Sequence, residues 1–147
     1  MKKFTAMLLA VIMVFALGAS AFAADTGDTY SSYTFADLEL KVQVSMATEG
    51  LTISGSGAMN DCVFQWGDPD PRPWSAYLSE IKTVVIGDSI TKIGKESFSS
   101  LSCTTVRIGK NVQVIGENAF MNCTSLTGDL VIPDSVTTID RWAFFGS

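Results

Sequence analysis

Few side chains in this chain have the types and spacing that catalysis or metal binding requires. The 147 residues include no histidine, which is the commonest general base near neutral pH and the commonest metal ligand. Three cysteines are present, Cys62, Cys103 and Cys123, without a basic partner in any recognisable frame and without a C-x-x-C spacing. The sequence also has no G-x-S-x-G nucleophile motif. We therefore predict that this chain is not an enzyme.

The acidic residues offer two pairs that resemble reactive sites. Glu96 and Glu117 lie about one sequence repeat apart, and an acid–base pair of carboxylates is one reading of them. A solvated edge is the simpler reading, because Arg141 stands at the matching place in the next repeat. Asp68 and Asp70 could suggest calcium, but this ion requires six to eight oxygen ligands. We expect neither a metal site nor a cofactor.

The N-terminus has the pattern of an export signal. A basic start at Lys2 and Lys3 is followed by the apolar run 6–17 and by the small-x-small sequence Ala21-Phe22-Ala23. We predict a signal peptide over residues 1–23, the alternative being an uncleaved anchor, and hence a secreted or cell-surface chain without membrane insertion after cleavage. The net charge of −5 becomes −7 when both lysines are lost, which disfavours nucleic acid and anionic membranes as partners.

Three twelve-residue segments near the C-terminus share one pattern. They read ITKIGKESFSSL (90–101), VQVIGENAFMNC (112–123) and VTTIDRWAFFGS (136–147). An aliphatic residue, an isoleucine and a phenylalanine recur in register, at Ile90, Val112 and Val136, at Ile93, Ile115 and Ile139, and at Phe98, Phe120 and Phe144. Stacked repeats share one apolar core, so we expect the phenylalanines to form a buried ladder and not a ligand cage.

A short alternating run precedes each segment and predicts one strand per repeat, over 83–87, 105–109 and 129–133. The period is 22 and then 24 residues, with the extra two near Gly128. We predict an α+β or β-rich solenoid, a right-handed coil of the leucine-rich repeat type with parallel strands. The Ile-x-x-Ile step indicates a bend that sends both side chains into the core. Gly94 and Gly116, which tolerate positive φ, follow this step, and a helical turn is expected to carry each phenylalanine.

The string SLTGDLVIPDSVTTIDRWAF (125–144), with NAFMNCTSL (118–126), resembles the BspA-type leucine-rich repeat. Residues 50–81, which include GLTISGSGAMND and YLSEI, resemble the segment that opens such arrays. Asp140 and Leu101 depart from the pattern, the latter where cysteine is usual. The resemblance implies a secreted or surface protein, and some members of this family are adhesins. Cys123 takes the place of Leu101 in the next repeat, and we read it as a buried apolar residue more readily than as half of a bridge.

The N-terminal third predicts a cap for the array. The domains expected are the signal peptide 1–23, a polar segment and strand over 24–49, the cap over 50–81, and three repeats over 82–147, the last incomplete. Residues 24–36 are polar and expected to be mobile, whereas 38–46 alternates and should form a hairpin with the strand after it. Residues 61–74 should form a loop that packs one or both of Trp66 and Trp74 on the first repeat.

The third repeat stops midway, which predicts either a piece of a longer protein, the reading we favour, or a pairing with another subunit. The side chains of the predicted strands that face away from the core form the candidate binding surface. Its partner would be an extracellular protein or a glycan, with Arg107 the strongest contact. The alternatives are a structural stalk or an accessory domain of an extracellular enzyme. The six outward positions are Thr83, Val85, Thr105, Arg107, Asp129 and Val131.

Overall fold

The chain forms a solenoid of short strands. The computed structural model describes residues 30–34 and 40–45 as backbone strands, and residues 49–65 and 67–147 with their side chains. The predicted signal peptide 1–23 and Trp66 lie outside the described residues. Within the described residues, no helix is both long and apolar enough to cross a membrane.

Two sheets run along the solenoid. The strands of the described residues are β1 (Tyr30–Thr34), β2 (Leu40–Ser45), β3 (Gly50–Gly55), β4 (Gly57–Ala58), β5 (Thr83–Ile86), β6 (Ile90–Ile93), β7 (Thr105–Arg107), β8 (Val114–Ile115) and β9 (Thr138–Ile139). The first sheet has the order β1-β2-β3-β5-β7 and the second has the order β4-β6-β8-β9. A short 3-10 helix, Ser75–Tyr77, lies between β4 and β5 in sequence.

The first sheet confirms the predicted hairpin and the predicted parallel stacking. Strands β2 and β3 pair antiparallel, and β3, β5 and β7 then pair parallel. The alternation of β5 places Val84 and Ile86 in the core, and β7 does the same with Val106. Strand β1 falls within the segment 24–36, for which the sequence predicted no strand, and it pairs antiparallel with β2.

The second sheet contains a strand where a bend was predicted at Ile-x-x-Ile. The segment Ile90–Ile93 is strand β6, whereas the predicted placement of both isoleucine side chains in the core is confirmed, because both are fully buried. Parallel pairing joins β6 to β8 and β8 to β9. The irregular register of β4 on β6, with Gly57 opposite Ile90 and Ala58 opposite Lys92, departs from flat pleating. An irregular strand of this kind need not alternate its side chains strictly.

The residues N-terminal to the three repeats add a coil of their own. Strand β3 extends the first sheet and β4 extends the second, so residues 50–58 follow the same path as 83–93. We call residues 50–81 the cap coil, 83–101 the first coil, 105–123 the second and 129–147 the third. Trp74, which is fully buried, closes the core at the cap coil, as the sequence predicted.

An aromatic stack runs through the centre of the coils. Ring centroids are 5.5 Å apart from Trp74 to Phe98, 5.2 Å from Phe98 to Phe120 and 5.3 Å from Phe120 to Phe144. The interplanar angles are 15°, 18° and 2°, so the rings lie nearly parallel. The predicted ladder of three phenylalanines is confirmed, and the tryptophan adds a fourth rung. Offset stacking of this kind stabilises a core beyond the area that it buries.

The turns that carry the phenylalanines differ from prediction. Residues 96–100 and 118–122 are turns and not helix, because Glu96, Ser100, Asn118 and Asn122 have positive φ between 56° and 59° and break a right-handed helical run. Gly94 does not have positive φ, so the reason that we predicted for it is wrong. A Cβ there would collide with the carbonyl oxygen of Asn60 in the cap coil, which makes glycine necessary for close stacking.

The third repeat does not supply the strand predicted over 129–133. The sheet ends at β7, and the third coil contributes only β9, to the second sheet. Gly128 takes a φ of +87°, so the extra residues are absorbed in a turn as predicted. Glycine lets the backbones of the first and second coils approach closely, because a Cβ at Gly109 would collide with the Gly87 carbonyl. Pro133 stands at the matching place in the third coil. It carries a Cβ and lacks an N–H, so it does not permit the same approach or donate a backbone hydrogen bond.

Candidate binding face

Four of the six predicted outward residues form one continuous surface. Thr83 lies opposite Thr105 on the neighbouring strand, and Val85 lies opposite Arg107. Directly opposite positions on adjacent strands bring side chains of one sheet face into contact range. Thr52, on β3 opposite Val85, extends the second row and was not among the predicted outward residues. We call this surface the outer face: Thr52, Thr83, Val85, Thr105 and Arg107.

The other two predicted residues lie outside this ladder. Asp129 is exposed, and Val131 is 74% exposed, so both point away from the core as expected. Because the third coil forms no strand here, neither has a register partner on β7. The face therefore spans fewer coils than the sequence predicted.

Arg107 is the charged residue of the outer face. Its side chain is 60% exposed, and its Nη2 lies 3.3 Å from Oδ1 of Asp88. The same carboxylate oxygen accepts the backbone N–H of Lys110 at 3.3 Å. An exposed pair of this kind is worth about 1 kcal/mol or less, so a carboxylate or hydroxyl of a ligand can replace Asp88 at the guanidinium.

The residues considered for catalysis are held in ion pairs. Nζ of Lys95 lies 2.9 Å from Oε2 of Glu117 and 4.0 Å from Oε1 of Glu96. Oε2 of Glu96 also accepts the backbone N–H of Phe64 at 3.3 Å. The hydrogen bond that Lys95 donates to the Glu117 carboxylate raises the pKa of Lys95. The sequence predicted a solvated edge here, and the structure shows three half-buried side chains in one ion-pair network. An acid–base pair of the two glutamates would first have to release the lysine.

Asp70, one of the two carboxylates considered for calcium, is committed to an arginine. Its Oδ2 lies 2.7 Å from Nη2 of Arg72, and its Oδ1 accepts the backbone N–H of Arg72 at 2.9 Å. The guanidinium also donates through Nη1 to the Ser99 carbonyl at 2.6 Å and lies 4.8 Å from the Phe64 ring centroid. Within residues 49–65 and 67–147, no cluster of three or more metal-ligating side chains occurs.

All three cysteines are buried thiols, as we predicted for Cys123. Burial raises the pKa of Cys62, and a hydrogen bond from Ser97 opposes that effect. The Cys123 thiol donates to the Phe98 carbonyl at 3.1 Å, inside the core. These positions do not reach the outer face, so thiols play no part in the candidate site.

Comparisons with known proteins agree with this architecture. Residues 76–147 match a protein family described as "BspA type Leucine rich repeat region (6 copies)". A leucine-rich repeat protein from Eubacterium ventriosum is similar in structure, with a TM-score of 0.63 and 25% identity over 80% of this chain. The matched part is 36% of that protein, so this chain spans about a third of its length. No curated protein matches the chain.

Repeats of this class share a general role and location. Leucine-rich repeats of this kind form interaction or surface repeat modules, are typically extracellular and are generally not catalytic. The aromatic ladder, the parallel pairing between successive coils in both sheets and the spacing of the repeats agree with that match. Residues 76–147 thus belong to the BspA-type leucine-rich repeat family.

Proposed function

We propose that this chain is an exported recognition module that binds an extracellular protein or glycan through its outer face, in the manner of an adhesin, and that it acts without catalysis. The observation that carries the proposal is the register of Thr83 with Thr105 and of Val85 with Arg107. Register fixes these side chains as one surface while Val84 and Val106 take the core positions.

The chemistry of the face suits a mixed ligand. Threonine hydroxyls donate and accept hydrogen bonds, Val85 offers an apolar contact, and Arg107 offers a planar cation. The paired strands fix the backbone positions of these residues, so the sheet itself need not be ordered on binding. Arginine is also enriched among the residues that dominate binding energy. Polar protein segments and carboxylate-bearing glycans both have groups that complement this face.

Binding is tested on an array of purified glycans and extracellular matrix proteins. We expect at least one ligand to be retained and its affinity to fall about tenfold, or about 1.4 kcal/mol, when Arg107→Ala is combined with Thr105→Ala. The matched control is Gln113→Ala, which alters an exposed side chain of the second coil outside β7, next to strand β8 of the second sheet. This control should bind like the unchanged chain.

Two results would count against the proposal. Loss of affinity to the same extent in Gln113→Ala would show that the outer face is not the binding surface. Failure of the folded chain to retain any ligand on the array would favour the structural role of a spacer, in which the face is only solvated. Folding of each variant is checked by its urea unfolding midpoint.

A further inference from the structure

The sheet surface that carries the outer face continues onto β2 and β1. Thr52 lies opposite Gln43 of β2, and Gln43 lies opposite Ser32 of β1. Val42 lies opposite Ile53, which is fully buried, so the residues on either side of Val42 share the face of Thr52. The register therefore adds six positions to this face: Tyr30, Ser32, Thr34, Lys41, Gln43 and Ser45.

The charged residues on this face are basic. In the described strands of the first sheet, they are Lys41 on β2 and Arg107 on β7. These strands are three spacings apart in the sheet, which is about 14 Å. The whole chain has 15 acidic and 10 basic residues, so the charge of the face is opposite to the charge of the chain. Most of the other outward positions carry hydroxyl groups, which bind the hydroxyl groups of sugars.

Two exposed cations meet one carboxylate at the end of β7. Nη2 of Arg107 lies 3.3 Å from Oδ1 of Asp88, and the same oxygen accepts the backbone N–H of Lys110 at 3.3 Å. The Arg107 side chain is 60% exposed, and a guanidinium has five N–H donors, so it can bind a second carboxylate. Within residues 49–65 and 67–147, Nζ of Lys110 has no ion-pair partner. This corner of the outer face is therefore positively charged.

The chemistry of the outer face favours a sugar polymer over a protein. Protein interfaces depend on desolvated aromatic or aliphatic anchors, and Val85 of the outer face is half-buried. Among residues 49–65 and 67–147, the large exposed apolar side chains belong to the cap coil and the third coil. They are Val63, Phe64, Val131, Ile139, Trp142 and Phe145.

We propose that the outer face binds a polysaccharide that contains uronic acids and lies across the strands, with one carboxylate at Arg107 and Lys110. A planar guanidinium binds a carboxylate through two parallel hydrogen bonds, and Asp88 holds this guanidinium in place. The threonine hydroxyls bind the sugar hydroxyls between the two cations, and Lys41 lies on the strand that a later carboxylate of the polymer reaches. This inference rests on the proposed function and narrows its ligand to one chemical class.

The test compares polymers that share a backbone and differ in charge. Retardation of the purified chain is measured by affinity electrophoresis in gels that contain chondroitin, alginate or polygalacturonate. Each polymer is also used after chemical reduction of its carboxyl groups to alcohols. We expect at least one of the three to retard the chain, and its reduced form to bind at least about tenfold more weakly, or about 1.4 kcal/mol. Added salt should weaken the interaction, because both cations are exposed.

Matched variants locate the carboxylate on the face. Arg107→Gln should weaken binding of the retained polymer about tenfold. Lys110→Gln should weaken it by a smaller factor, because a lysine acts as a point charge. The control is Arg141→Gln, which removes the same charge from an exposed residue of the third coil. It should bind like the unchanged chain, and equal weakening in this variant would show that net charge and not the outer face attracts the polymer.

Four other results would overturn the inference. They are equal binding of the reduced polymer, tighter binding of dextran sulfate, tighter binding of single-stranded DNA, and retention of none of the three uronate polymers. A protein or neutral glycan that is retained through Arg107 would overturn this inference and leave the proposed function standing. Retention of no ligand of any class by the folded chain would contradict both. The urea unfolding midpoint of each variant shows that it is folded.

Discussion

At the scale of single residues, Arg72 shows how the long loop of the cap coil is held. Its side chain is 3% exposed, and it joins Asp70 to the Ser99 carbonyl of the first coil. A buried cation is tolerated only when it is paired and its donors are satisfied. The sequence predicted a loop here, and Asp70 could be considered as a calcium ligand. The ion pair was not predicted, because a linear pattern does not show which carboxylate an arginine contacts.

The pairing predicts unequal effects for two aspartates of this loop. Asp70→Ala should lower the free energy of unfolding by about 2–3 kcal/mol, because the charged hydrogen bonds of Arg72 lose their acceptor. Asp68→Ala, which removes an exposed carboxylate nearby, should change it by about 0.5 kcal/mol or less. Urea unfolding of both proteins measures the difference. Equal losses would mean that the ion pair does not hold the loop.

Asp61 gives the solenoid an acid-sensitive contact. Its carboxylate accepts the Lys95 N–H and Nζ of Lys92, each at 2.9 Å, and these bonds lower the pKa of Asp61 below its ordinary value of 3.8. The folded chain therefore binds this proton more weakly than the unfolded chain does. The stabilisation is complete above pH 3.8 and disappears as the pH falls through the lower pKa of the folded state.

Asp61→Asn should consequently be less stable than the unchanged chain at pH 7, by about 1 kcal/mol or less for an exposed group. The gap should close as the pH falls below the ordinary pKa of the carboxyl. Unfolding midpoints in urea across this range test the prediction, with the exposed Asp134→Asn as a control that removes the same single negative charge. A gap that stays constant into acid would rule out the charged contact as its cause.

At the scale of elements, pattern and period predicted what repetition determines. The strands β5 and β7, their parallel register and the stacked phenylalanines follow from residues that recur in step and must share one core. The missing strand at 129–133 depends on how closely one backbone can approach another. The third coil has two extra residues near Gly128, and Pro133 stands at the repeat position that Gly109 occupies in the second coil. Both differences change how closely the two backbones can approach, although the apolar alternation that predicted the strand is intact.

The same reasoning explains the miss at the candidate site. Asp129 and Val131 occupy the correct phase of the pattern, yet their segment does not join the sheet, so they do not extend the outer face. Thr52 was missed because its strand was predicted as half of a hairpin that covers the first coil, and the pattern did not give its register with β5. Its register opposite Val85 shows that β3 serves the solenoid as well. The alternation of 51–54 was the available signal, and comparison with 83–86 reveals it.

Close backbone approach makes Gly109 a sensitive position. Gly109→Ala would place a Cβ against the Gly87 carbonyl and should lower the free energy of unfolding by about 1–3 kcal/mol. Thr105→Ala, on the exposed side of the same coil, should cost about 0.5 kcal/mol or less. Thermal or urea unfolding compares the two. Indifference to Gly109→Ala would show that the coils stack less tightly than described.

At the scale of the whole molecule, one apolar spine serves every coil. No single coil is large enough to shelter its own apolar edge, so stability resides in the contacts between neighbours. Each internal ring of the stack touches the ring before it and the ring after it. Damage at a central ring should therefore weaken the array on both sides, while damage at an exposed ring should not.

Phe120→Ala is the sharpest test of this shared core. The ring is fully buried between Phe98 and Phe144, and its removal should lower the free energy of unfolding by about 3–5 kcal/mol. Phe145→Ala, which removes a ring that is 63% exposed, should cost about 1 kcal/mol or less. Urea unfolding gives both values. Similar costs for the two rings would contradict a spine that runs through Phe120.

The order of the rings can be measured directly in solution. Nuclear Overhauser contacts between aromatic protons, recorded on the folded chain with labelled Phe and Trp rings, should link Trp74 to Phe98, Phe98 to Phe120 and Phe120 to Phe144. These ring protons should also be shielded from a dissolved paramagnetic probe, except at the outer side of Phe144. Rings that give no contacts with one another and relax rapidly in the presence of the probe would contradict the stacked solenoid.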